Sequence, residues 1–342
     1  MRPEDIFFRN ESMNDDGVRV NRIEFRAAMP SLRLLDAVSL AFSVQCLIPA
    51  VLGLLTCLAA DKLIFSAPGF EAGPRGPFAR TVPFPLWQMI SDVHFIAVHG
   101  FTAGLTPFAR LPLYSLLMGL TGVAISRAAG LKFCADRRNG AVRSMRHAAR
   151  SLRAIIVASF LAGLLCTVTL GMFWLCLTIT QSALGLDRIQ SLASVSAWLA
   201  ALLLIATAGV CSTGWLISLA AMGVDSCEGA ESLSRGISYV LSRFRRAIVY
   251  ALVMLVMTGC LAEVAWFLVT MAGTLVAQSL PNSASEIGID SLAFIQCRHF
   301  LVESWKLSLF FSSITICYVL LRRVEDGVDM TESDGCLSSD TH

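Results

Sequence analysis

Hydrophobic positions in this chain come in long unbroken runs rather than in alternation, and the polar residues are gathered between them. An α-helix rising ~1.5 Å per residue needs roughly 20 residues to cross a hydrocarbon core about 30 Å thick. Six runs meet or approach that length, at about residues 37–60, 108–130, 154–180, 191–223, 247–277 and 300–321. Asp36 and Asp61 bracket the first, and Arg322-Arg323 closes the sixth. The second is the weakest, because Arg110 and Arg127 stand close to its two ends and one of them must snorkel. The pattern predicts an all-α polytopic membrane bundle of six transmembrane helices. A cytoplasmic segment 1–36 precedes the membrane domain 37–323, which carries an outer loop 61–107, and an acidic, solvated cytoplasmic tail 324–342 follows.

The outer loop has a pattern of its own. "FSAPGFEAGPRGPFARTVPFP" is rich in Pro, Gly and Phe and reads as a loop. "LWQMISDVHFIAVHGFTAGL" follows, apolar around much of a helical wheel but carrying Asp92, His94 and His99. It predicts an interfacial helix on the outer leaflet, with a short re-entrant piece as the alternative. Pro49 predicts a kink in the first span.

Composition agrees with a lipid solvent. Apolar residues make up 55% and charged ones 15%, against about a quarter charged in a soluble domain. Six spans put both termini on one side, and 20 of the 27 lysines and arginines fall in the segments that share that side. That bias places both termini in the cytoplasm. The first span begins too late, after too acidic a stretch, to read as a cleaved leader. Eleven cysteines form no Cys-x-x-Cys pair, and most lie inside apolar runs as small fillers. No metal-ligand spacing, P-loop, dinucleotide fingerprint or nucleophile elbow is present, so no cofactor and no metal are implied. The basic segments lack the aromatic interleaving of a nucleic-acid reader.

Two cytoplasmic turns resemble each other. "AISRAAGLKFCADRRNGAVRSMRHAARSLRAII" (124–156) and "LISLAAMGVDSCEGAESLSRGISYVLSRFRRAIV" (216–249) each leave a span through Ile-Ser-x-Ala-Ala and return through Arg-Ala-Ile. Helices two and three thus match helices four and five as a tandem parallel repeat. Each turn contains an amphipathic elbow helix. In the second, Leu233, Ile237, Val240, Leu241 and Phe244 share one stripe, away from Glu228, Glu231, Ser238, Ser242 and Arg246. In the first, an arginine stripe runs beside Val142, Met145, Ala149, Leu152 and Ile156. Arg143, Arg146, Arg150, Arg153, Arg243, Arg245 and Arg246 are the candidate contacts to anionic lipid headgroups or to a partner's acidic face. The bland alternative is that they only fix topology.

The second elbow, "GAESLSRGISYVLSRFRRAIVYALV", resembles a motif of uncharacterised six-helix bacterial inner-membrane proteins, as do "GVAISRAAGLKF" and "YVLLRRVEDGVDMTE". More distantly it is similar to the non-catalytic membrane domain attached to some glycerophosphodiester phosphodiesterases. The resemblance implies a bacterial inner-membrane location and no activity, since the phosphodiesterase chemistry sits in a separate soluble domain. This chain departs from the motif at Gly236 and Ile237, which predicts a kinked or looser elbow there.

Glu263 and Lys306 are charges inside spans five and six, each about 24 Å from the cytoplasmic end of its helix. Matching depth predicts an intramembrane Glu263–Lys306 ion pair, with Glu303 and His299 nearer the surface. Gly163, Gly171, Gly209, Gly214 and Gly259 read as helix–helix packing positions, and "ATAGVCSTG" in span four as the centre of the bundle. Three function classes follow. The first, which accounts for most of these features, is a non-enzymatic membrane-organising or accessory subunit. It would work through membrane lipids and through a protein partner or a second copy of the chain. The second is a small-solute permease or permease subunit built around Glu263/Lys306. The third, an enzyme acting on lipid, is less favoured than the absence of one.

Overall fold

The computed structural model describes residues 30–64, 81–99, 105–135, 140–182, 187–279 and 292–327, and all regular structure among them is helical. A short 3-10 turn, Pro30–Leu35, leads into α1 (Asp36–Ala41), α2 (Val44–Ile64), α3 (Phe84–His99), α4 (Leu105–Ala135) and α5 (Ala141–Arg150). Then follow α6 (Leu152–Ser182), α7 (Asp187–Asp225), α8 (Gly229–Ser242), α9 (Phe244–Ser279) and α10 (Leu292–Asp326). Six of these, α2, α4, α6, α7, α9 and α10, are long and apolar enough to cross a membrane. The expectations for residues 1–29, for the loop at 65–80 and for the tail beyond 327 lie outside the described residues.

The first span differs from its sequence reading. Pro49 sits inside α2, and the helical run is interrupted ahead of it, at Phe42-Ser43. Both the amide of Ser43 (2.9 Å) and its hydroxyl (2.6 Å) donate to the Leu40 carbonyl, a local bonding pattern that competes with helix continuation. The Ala41 carbonyl accepts instead from Ser308 Oγ of α10 at 3.1 Å, and Phe42 packs on Trp305 with ring centroids 5.1 Å apart. So α1 is a separate short helix docked on α10, and the span proper starts at Val44.

α10 is the axis of the molecule: every residue from Val302 to Leu321 is buried. This corrects the placing of the centre in "ATAGVCSTG". A Cβ added at Gly163, Gly171 or Gly209 would meet nothing within 4 Å, whereas at Gly214 and Gly259 it would meet Ile237 and Thr81, each at 2.7 Å. The physical reason is that lipid is itself the apolar solvent. A helix facing lipid must be apolar on that face, whereas one surrounded by protein can carry hydroxyls and charges all round. α10, with Ser304, Ser308, Ser312, Ser313 and Thr315, is of the second kind, and the greasier α6 and α7 are of the first.

α4, α7 and α10 pack through glycines. Gly122 sits against Leu219 and Phe311, Gly130 against Val224 and Thr315, and Gly223 against Ser126 and the Arg127 backbone. Residue numbers rise together along these contacts, so the three helices run in the same direction. α2 runs the other way, since Gly53 meets Thr121 while Asp61 meets Tyr114. The repeated Ile-Ser-x-Ala-Ala lies at this junction: Ile125, Ser126, Ala128, Ala129, Ser218, Ala220 and Ala221 are all 1% exposed or less. Small side chains recur there because close backbone approach demands them.

Both copies of the repeat adopt helix, short amphipathic helix, helix, with single-residue breaks at Ser151 and Arg243. The expected loosening at Gly236 does not occur. α8 is continuous, and a Cβ on Gly236 would collide with the Gly214 carbonyl, so this glycine lets α8 cross α7 at backbone contact.

Candidate functional site

Three polar clusters tie the bundle together, and the first, which is buried, lies on α10. Lys306, 2% exposed, donates from Nζ to Glu303 Oε1 at 2.6 Å, one turn back on the same helix. Glu303, 8% exposed, also accepts from the backbone N–H of Phe84 at 2.8 Å. Phe84 is the first residue of α3, so a carboxylate caps the positive end of that helix. To reach it, Val82 through Leu86 are buried, while Val93, His94, Phe95, Val98 and His99 are exposed. α3 therefore enters the bundle with its N-terminus and leaves its second half on the periphery.

Lys306 thus takes a partner other than the one expected. Glu263 is exposed on α9, where Thr258 and Ala262 mark the buried face. Glu263 follows Ala262 by one residue and is rotated about 100° around the helix from it. Glu303 needs no interhelical reach, and that decides the pairing. Matching depth places two residues at one level but says nothing about their azimuth.

The second cluster joins α2, α3 and α4. Arg110 Nε lies 3.2 Å from Asp61 and its NH1 lies 3.4 Å from Asp92. The Tyr114 hydroxyl donates to Asp61, and Gln88 donates to Asp92 at 3.4 Å. Two carboxylates share one guanidinium, and Asp92 Oδ2 is buried without a hydrogen-bond partner among the described residues. Burial pushes the Asp92 carboxyl above its ordinary pKa, with Arg110 pulling the other way. Asp61 looked like a boundary marker in the sequence, and nothing in its spacing pointed to Asp92 or Tyr114.

The third cluster closes the elbow side. Asp225, the last residue of α7, accepts from Tyr318 and from Arg322 NH1 (2.6 Å). Tyr239 of α8 donates to Asp326 at 2.5 Å, and Arg243 to Glu325 at 2.8 Å. Glu325 and Asp326, read from sequence as the start of a solvated tail, belong to α10, which ends at Gly327 with φ +65. Arg127, 3% exposed, reaches the carbonyls of Gly223 and Val224 at 3.4 Å, and His147 lies 3.3 Å from that of Met222. The Arg127 guanidinium and the His147 ring thus reach the unpaired carbonyls at the negative end of α7.

The elbow arginines behave differently. Arg143, Arg146, Arg150, Arg153, Arg243, Arg245 and Arg246 are all exposed. Apart from the Arg243–Glu325 pair, none makes a hydrogen bond or ion pair to a described residue. The apolar stripe is only partly exposed: Val142 and Ile156 of the first elbow and Leu241 and Phe244 of the second face outward, whereas Leu233 and Val240 of the second stripe turn into the bundle, as do Ser144 and Ala148. Among the described residues, no three His, Cys, Asp or Glu side chains converge as a metal site would require. Set against protein-family models, curated proteins and solved structures, the chain finds no match in any of the three comparisons.

Proposed function

We propose that this protein is a non-enzymatic organising or accessory subunit of a bacterial inner membrane, acting through anionic lipid and through a protein partner or second copy. One observation carries the reading. The buried charges Asp61, Asp92, Glu303 and Lys306 and the half-buried Asp225 are engaged with one another or with arginine, while six elbow arginines stand exposed beside outward-facing apolar side chains with no hydrogen bond or ion pair to a described residue. A helix with that face sits at headgroup level, where each arginine gains about 1 kcal/mol on an anionic surface. The uneven distribution of lysine and arginine supports a cytoplasmic position for the elbows and both termini. The resemblance of the second elbow to six-helix inner-membrane proteins supports the location.

The test is lipid enrichment. Protein reconstituted in equal phosphatidylglycerol and phosphatidylcholine, then extracted with its bound lipid, should carry excess phosphatidylglycerol by mass spectrometry. Replacing Arg143, Arg146, Arg150, Arg153, Arg245 and Arg246 by Gln should abolish the excess, and an unchanged excess refutes the reading. Reporter fusions after Gln181 and after Arg138 should report from opposite compartments.

A second reading, a small-solute permease, is favoured by the helix break at Phe42-Ser43 beside the buried Glu303–Lys306 pair and the α3 N-terminus. Broken helices and helix ends at buried charges are transporter devices. It requires water to reach Lys306. Cysteines placed at Ser304 and Ser308 would then react with a charged thiol reagent added to intact cells, whereas a structural clasp leaves them unreactive.

A further inference from the structure

We infer that the groove between α6 and α8 is a binding site for one acyl chain of an anionic phospholipid whose phosphate lies at Arg150 and Arg153. The inference rests on the headgroup role proposed above and gives it a specific site. The groove is open on its outer side and offers about 870 Å³ between Leu161, Leu164 and Leu165 of α6 and the outward face of α8. It is continued by about 280 Å³ against Ala206 and Val210 of α7, with Leu165 and Ile237 shared by both spaces. Its volume falls within the range of ~300–1,000 Å³ typical of small-molecule sites.

Three features at the groove match the parts that a phospholipid presents. Gly229 of α8 packs on the backbone of Ala154, which brings Arg153 and the exposed Arg150 to the end of the groove where Ala230 and Ser234 form its wall. Leu161 follows Arg153 by eight residues, about 12 Å farther along α6. A serine stripe, Ser234, Ser238 and Ser242, one turn apart on α8, lines the same groove from the other wall.

These serines are the informative part. Several hydroxyls on the lipid-facing helices are satisfied internally: Thr167, Thr178, Thr180, Thr213 and Thr270 each donate to the carbonyl four residues back. Ser234, Ser238 and Ser242 are exposed and make no hydrogen bond to any described residue. A bare hydroxyl against hydrocarbon is costly, so the stripe faces a polar layer. The glycerol esters of a phospholipid supply acceptors and the serines supply donors. Arginine then meets phosphate, serine meets ester, and Leu161 to Leu165 meet methylenes.

The experiment uses the full chain in mixed micelles of phosphatidylglycerol and phosphatidylcholine, with retained lipid counted by native mass spectrometry. The wild type should hold one tightly retained phospholipid per chain, with phosphatidylglycerol preferred. Ser238→Trp and Leu164→Trp fill the groove from its two walls. Each should lower retention of both lipids roughly tenfold, as when about two methylenes lose their burial. Ile205→Trp, on the exposed face of α7 turned away from the groove, should leave retention unchanged. Arg150→Gln with Arg153→Gln should keep phosphatidylcholine bound while the phosphatidylglycerol preference falls roughly fivefold per arginine. Wild-type retention in both groove tryptophan variants overturns the site while leaving the wider arginine reading intact. A site sensitive to tryptophan but with unchanged preference in the arginine variant overturns the headgroup assignment, and that reading then stands or falls on the six-arginine experiment.

Discussion

The Glu303–Lys306 pair gives the sharpest energetic prediction. Both groups are buried, their contact is 2.6 Å, and Glu303 also holds the Phe84 N–H. Replacing one member by an isosteric apolar residue strands a charge, which typically costs 3–5 kcal/mol. Lys306→Met leaves a carboxylate that still has Phe84, so about 3 kcal/mol is expected. Glu303→Met strands the ammonium and also orphans the Phe84 amide, which adds about 1 kcal/mol or more, so about 4 kcal/mol is expected. The double variant carries no stranded charge and only the orphaned amide, a loss of about 1 kcal/mol. It should therefore be more stable than either single variant. The assay is unfolding of detergent-purified protein by added SDS, followed by far-ultraviolet circular dichroism, as a double-mutant cycle. Additive losses in the double variant would refute the pairing. So would a stronger coupling of Lys306→Met with Glu263→Gln than with Glu303→Met.

Other consequences follow from the same packing. Gly236→Ala should cost about 1–3 kcal/mol by forcing α8 off the Gly214 carbonyl, whereas Gly209→Ala, with open space around it, should gain up to about 1 kcal/mol from helix propensity; SDS unfolding reads both. Arg127→Met should loosen the end of α7 by removing the cation at the Gly223 and Val224 carbonyls, a loss of about 2 kcal/mol. Amide exchange over residues 224–228 should accelerate more than exchange in α2. For Asp92, burial raises the folded pKa above the unfolded value, so the folded state binds its proton more tightly. That contribution is full below the ordinary Asp pKa of about 3.9 and is lost as pH rises through the folded value. Thermal scans should show this limb in the wild type and a flatter one in Asp92→Asn.

Much of the architecture was legible because lipid imposes a strong rule on composition. A run such as 154–180 can only be a span, and the Arg-bearing stretches around 143–153 and 243–246 can only lie at an end of one. The repeat was legible for a related reason: Ile-Ser-x-Ala-Ala recurs because two helices need small residues where they touch a third. The break at Phe42-Ser43 was not legible. It depends on a hydroxyl at Ser308, in a distant span, that can take the Ala41 carbonyl.

The sequence by itself determined that the chain forms six spanning helices with two amphipathic elbows, because hydrophobic length and polar interruption are one-dimensional properties read along the chain. Tertiary structure alone decided which helix stands at the centre, which acid holds Lys306, and that Asp61, Asp92, Arg110 and Tyr114 meet at all. Those outcomes depend on the azimuth of each side chain and on which neighbour comes within bonding distance. Neither is set until helices far apart in sequence have packed against one another.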